Sequence, residues 1–160
     1  MWIALMIVHG LVAFLLLAAV SYQAVRAVRP AAGTRGLPDS FFGMRSSAFT
    51  NAVVVLFVIN FAIGAMLYAN YSAAAKPEMI LLKWLPTLGL FELKEHSGLV
   101  GLTLLPTYWL LWQRIPLSEK AAVRAWATVL LAGLVWWVFL VGYFVTNTRG
   151  IADEMVTRAL

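Results

Sequence analysis

The sequence has 0 cysteines, which excludes disulfides, iron–sulfur clusters and thiolate zinc sites. It leaves the redox compartment unread. Charge is scarce as well: Asp, Glu, Lys and Arg make up 12% of the 160 residues, about half the share of a soluble domain. Histidine is scarcer still, at 2. Hydrophobic residues supply 62% of the chain, against about 45–50% in soluble proteins, so a water-solvated domain is excluded and lipid is the expected solvent. The net charge of +5 does not imply nucleic acid, because the basic residues are not clustered densely enough to track phosphates. They sit at the ends of apolar runs, where they report topology.

Four apolar runs approach the length of about 20 residues that crosses a bilayer as helix: residues 2–25, 52–71, 93–112 and 125–145. The runs are continuous rather than alternating, so helices are expected and barrel strands are not. With no internal repeat and no low-complexity stretch, residues 1–160 read as one transmembrane domain. The expected fold is an all-α integral membrane four-helix bundle, up-down-up-down. The first run has no basic residue before its apolar stretch and reads as a retained span rather than a cleaved signal.

Two connections carry the basic excess. Arg26, Arg29, Arg35 and Arg45 stand against Asp39 alone, and Arg114, Lys120 and Arg124 against Glu119, so these connections are expected to be cytoplasmic. The other ends are balanced, which puts both termini on the periplasmic side of a bacterial inner membrane. The segment 30–47, with Gly33, Gly36, Pro38 and Gly43, reads as a turn-rich linker. Between Lys76 and Phe91 the apolar residues around Lys83 predict a short interfacial helix, started by Pro77 and ended by Pro86.

Ionisable residues within spans are expensive, so the histidines are the first candidates for function. His9 lies in the first run among apolar neighbours and His96 near the start of the third. In a sequential bundle these runs are diagonal, about 12–14 Å apart, which is the separation two imidazoles need to hold one iron. Both histidines fall in the outer half, about one turn apart in depth. A single b-type haem on His9 and His96 therefore fits, with no open iron position, as an electron carrier. Gly98 and Gly101 beside His96, and Gly10 and Ala13 beside His9, would allow close approach of a macrocycle. Lys94, Lys76, Arg149, Tyr68, Asn70 and Tyr71 fall at the outer ends of spans, where propionates would point.

Other readings use the same residues. Both histidines can be structural, bonding between helices. Glu92 with His9 and His96 makes a two-histidine, one-carboxylate set for a non-haem metal. Asn60, Gly64, Tyr68 and Tyr71 share one face of the second run, and Trp84 with Tyr68 and Tyr71 would shape a quinone pocket. Pro106 is expected to kink the third run, with Thr103 compensating the freed carbonyl.

By span count, paired histidines on non-adjacent helices and their matching depth, the chain resembles the four-helix b-type cytochrome subunits that anchor respiratory or photosynthetic electron-transfer complexes. That resemblance implies a one-haem electron-transfer subunit, with quinone contact, whose partners are the bilayer, other membrane subunits and a periplasmic redox protein. The diheme versions need four histidines, so this chain departs from them. A haem-free accessory subunit of such a complex is the main rival.

Overall fold

The computed structural model describes residues 2–28, 46–116 and 119–159, the side chains of 46–48 and 148–159 excepted. The segment 30–47 read as a linker therefore lies almost wholly outside the described residues. The described residues form helices and turns and no strand: α1 (Trp2–Val28), α2 (Ser46–Leu81), α3 (Leu85–Gln113) and α4 (Ala121–Ala159). The expected all-α class holds.

Three stretches are long and apolar enough to cross a membrane: Trp2–Val28, Phe49–Leu81 and Ala121–Asn147. α3 is long enough at 29 residues, but His96, Ser97, Thr103, Pro106, Thr107 and Gln113 dilute its apolar run. The exterior suits lipid: Ile3, Leu11, Leu130 and Trp126 are each at least 60% exposed. Polar Gln23, Thr50, Arg124 and Thr128, by contrast, are buried. Apolar surface turned outward and polar groups turned inward is the distribution expected where the solvent is lipid.

Each helix packs against two others. α1 meets α2 and α4, and α3 meets α2 and α4, while among the described residues α1 and α3 share no close backbone approach. Gln23 bonds Thr50 and His9 lies on Gly64, so contacts between α1 and α2 run in opposite chain order. Trp109 with Asn51 and Gly98 with Phe61 repeat this for α3 and α2. Trp112 with Thr128 and Lys94 with Gly142 repeat it for α3 and α4. These pairs define two levels, one at Gln23 and one at His9. An apolar layer of Leu16, Leu17, Val20, Val53, Phe57, Leu105, Leu131 and Val135 lies between them.

The interfacial segment folds differently from its sequence reading. α2 continues through Pro77 to Leu81, and Pro86 opens α3 instead of closing a helix. The intervening turn is a Schellman stop: Lys83 N–H bonds to the Ile80 carbonyl at 3.1 Å and Trp84 N–H to the Met79 carbonyl at 2.9 Å. Trp84 packs against the cluster of Met79, Val141 and Val145, the kind of apolar contact that accompanies this motif. This turn needs a left-handed residue, and Lys83 supplies it at φ 58, where glycine would ordinarily be chosen. Nothing in the composition announces a lysine there. Thr103 also departs from expectation: its hydroxyl donates to the Val100 carbonyl, not to the Leu102 carbonyl that Pro106 leaves free.

Candidate functional site

The Gln23 level is a closed polar network. Gln23 Nε2 donates to Thr50 Oγ1 at 2.9 Å, and the Tyr108 hydroxyl donates to Gln23 Oε1. All three residues are at most 3% exposed. One turn beyond, the Arg124 guanidinium lies 4% exposed and caps the end of α3. Its Nε donates to the Leu111 carbonyl at 2.8 Å, and Nη2 serves Ile115, Pro116 and Glu119. A planar cation with several fixed donors is the side chain able to gather the carbonyls of a helix end at once. Trp112 Nε1 donates to Thr128 Oγ1 at 3.0 Å, which closes the set.

The His9 level is built otherwise. His9 lies on the buried stripe of α1 that continues through Leu16, Val20 and Gln23. Its ring rests on α2 where Gly64 has no side chain: a Cβ there would lie 3.3 Å from His9 Cε1. His9 Nδ1 and Asn60 Oδ1 remain buried with no hydrogen-bond partner. Such groups are costly to bury, since water has been removed and nothing replaces it.

Lys94 enters the same level from α3. Its side chain is 14% exposed, and its stem packs 3.3 Å from the Cβ position of Gly142 on α4. The ammonium holds Glu95 Oε1 at 3.0 Å and lies 5.0 Å from the centre of the Phe91 ring. Phe91 stacks on Tyr71 at 3.7 Å between centroids and faces Tyr68 at 6.0 Å. Tyr68 is one turn from Gly64. Lys94 and this aromatic stack thus form one group a turn from the Gly64 contact of His9, with the 2.6 Å ion pair of Lys76 and Glu92 beyond it.

The residues proposed as haem ligands fall on different sides. His96 is exposed, and its Nδ1 bonds to the Glu92 carbonyl one turn back at 2.7 Å. Lys94 points inward, and two residues are about 200° of helix, so His96 faces away from the interior that His9 enters. Gly98 meets the Phe61 ring, with its Cβ position 3.5 Å from Cε2. Gly101 is covered by Phe57 and Leu134 at 2.5 and 2.8 Å. Beside His9, Gly10 opens on free space. Glu92 is held by Lys76, and among the described residues no three His, Asp or Glu side chains come together as a metal set. The Arg149 side chain lies outside the described ones.

Sequence reasoning missed Gln23, Thr50, Tyr108 and Thr128, and it counted Arg124 as a topology charge. Gln23 carried a signal, since it continues the Leu16–Val20 spacing on one helical face. The inward turn of Lys94 carried one too, since it falls four residues before Gly98 and seven before Gly101. Comparison with protein families, with curated proteins and with solved structures gives no match.

Proposed function

We propose that the chain is a membrane subunit of an electron-transfer complex and that it holds a quinone-type head group at the His9 level. The observation that carries this reading is the pair of unpartnered buried atoms, His9 Nδ1 and Asn60 Oδ1, beside a lysine and a stack of aromatic rings. A flat, redox-active ring with polar atoms at both ends suits such a lining, the aromatic faces taking the ring, the Lys94 ammonium and the Asn60 amide N–H serving its carbonyl form, and Asn60 Oδ1 its hydroxyl form. The four helices form an up-down-up-down bundle, with α3 as the fourth span and the Lys83 turn at the outer interface. The positive charges of Arg26, Arg114 and Lys120 keep the Gln23 level toward the cytoplasm, with both termini periplasmic in a bacterial inner membrane. Electrons pass to or from partner subunits.

The test is photolabelling. An azido-benzoquinone analogue is expected to label peptides of α1 and α2 around His9 and Asn60 in the purified chain, and His9→Phe is expected to abolish it. Labelling no greater than on an unrelated membrane protein refutes the site.

A haem b is the second reading, and one observation favours it. The bond from Nδ1–H to the Glu92 carbonyl fixes the His96 tautomer and leaves Nε2 as a lone pair, the state an axial ligand requires. Pairing it with His9 requires α3 to turn about half a revolution. Sharp b-type bands in a reduced-minus-oxidised spectrum, lost in both His9→Ala and His96→Ala, would put this reading first.

A further inference from the structure

The outer faces of the four helices are not alike. In their membrane-crossing parts, α1 (residues 2–18), α2 (52–69) and α4 (121–140) expose only apolar side chains, glycine and tryptophan. α3 departs from this pattern. His96, Thr103, Pro106 and Thr107 are exposed on it, beside Leu99, Val100 and Leu110 at 52%, 53% and 48%. The polar residues that keep α3 out of the apolar set are thus turned toward the place where lipid would lie.

Two polar groups on this face are unmatched. Pro106 has no N–H, so the Leu102 carbonyl loses its helical donor, and the Thr103 hydroxyl turns to Val100 instead. The exposed Thr107 hydroxyl makes no hydrogen bond to any described residue. Both groups lie close to Leu105 of the apolar layer, at a depth where lipid tails offer no hydrogen bonds. One of them accepts and the other donates.

We infer that this face of α3 is the seam of a symmetric dimer with a second copy of this chain, the Thr107 hydroxyl of each copy donating to the Leu102 carbonyl of the other. The inference rests on α3 as the fourth span, proposed above, and needs nothing of the ligand at the His9 level. A two-fold interface has to be self-complementary. One free donor and one free acceptor on the same face meet that demand, and the exposed face between His96 and Leu110 holds no Asp, Glu, Lys or Arg to repel its own copy. Two copies inserted the same way have parallel α3 helices. His96, Leu99, Thr103, Pro106 and Leu110 follow one another at spacings of 3, 4, 3 and 4, the seam of a parallel, left-handed helix pair. Thr107 and Leu102 are about 7.5 Å apart along the axis. The threonine side chain leans toward the helix N-terminus and the carbonyl points toward the C-terminus, so across the seam the two approach each other.

The absence of cysteine makes the test clean. Single variants Leu99→Cys and Thr103→Cys on the seam, and Leu11→Cys and Leu130→Cys on other outer faces, are oxidised in native membranes with copper phenanthroline. A band at twice the mass of the chain is expected for the seam positions, where helices in contact bring Cα atoms within disulfide reach, and not for the other two. The parent chain is expected to sediment as a dimer in mild detergent. Thr107→Val removes the donor and Pro106→Ala restores the N–H that occupies the acceptor, so each is expected to weaken dimerisation about tenfold. Equal cross-linking at Leu130, cross-links at the seam to a different protein, a monomeric parent, or a dimer unchanged in both variants overturns the inference and leaves the reading of the His9 level standing.

Discussion

The Gln23 level and the His9 level share one set of helices and differ in how their polar atoms are satisfied. At the first, Gln23, Thr50, Tyr108, Arg124 and Thr128 bond to one another or to helix-end carbonyls. At the second, His9 Nδ1 and Asn60 Oδ1 are the buried side-chain polar atoms left without partners among the described residues. A satisfied buried network rigidifies a fold, whereas an unsatisfied one costs stability that is retained for another reason. The first level is thus the one that holds the bundle together, and the second is where a ligand has something to gain. The apolar layer from Leu16 to Val135 keeps them separate, so substitutions at one level should leave the other untouched.

The sharpest way to break this contrast is Arg124→Met. Removing a buried cation that serves several carbonyls strands them at once, and hydrogen bonds to charged groups contribute about 1.5–3 kcal/mol each. A loss of about 3 kcal/mol is expected in reversible unfolding in detergent, followed by circular dichroism. Arg124→Lys is expected to recover less than half, since one ammonium cannot reach carbonyls in so many directions. Next comes Gly101→Ala in the apolar layer. The new methyl would meet Phe57 at 2.5 Å and Leu134 at 2.8 Å, and both would have to move. Overpacking of this kind costs about 1–3 kcal/mol in the same assay. Tyr108→Phe is smaller, about 1 kcal/mol, because it removes one donor and leaves Gln23 Oε1 unpaired. Should Tyr108→Phe cost nothing while substitutions at His9 cost several kcal/mol, the roles assigned to the two levels would be reversed.

How much of this could be read from the residues alone differs between the levels, for physical reasons. The three helices long and apolar enough to cross a membrane follow from apolar length. His9 was conspicuous because an imidazole in an apolar run needs a partner. Its neighbours were harder. Gly64 and Asn60 lie on another helix, and a one-residue change of rotation moves a side chain by about 100°. That sensitivity is why Lys94 is inside and His96 is outside, although both lie within one turn. Gly98 and Gly101 were read as room for a macrocycle, yet glycine makes the same room for a ring from the facing helix, and Phe61 and Phe57 take it. Arg124 shows the converse. A basic residue at a span end counts equally toward topology whether it lies in headgroups or caps carbonyls, and only the packing tells which.

Asn60→Leu is the smallest expected change in stability and the most informative about the contrast. Deleting a polar atom that has no partner removes a desolvation cost without breaking a bond. Leucine has the same branched heavy-atom shape as asparagine and suits both lipid and interior. The variant should therefore unfold within about 0.5 kcal/mol of the parent, or somewhat later. If Asn60 instead held the fold as Gln23 does, its loss would cost about 1–2 kcal/mol. Measured beside Tyr108→Phe in one detergent, the two variants should separate in sign or nearly so. A stable Asn60→Leu chain with weakened photolabelling by the quinone analogue would show that Asn60 serves a ligand rather than the fold.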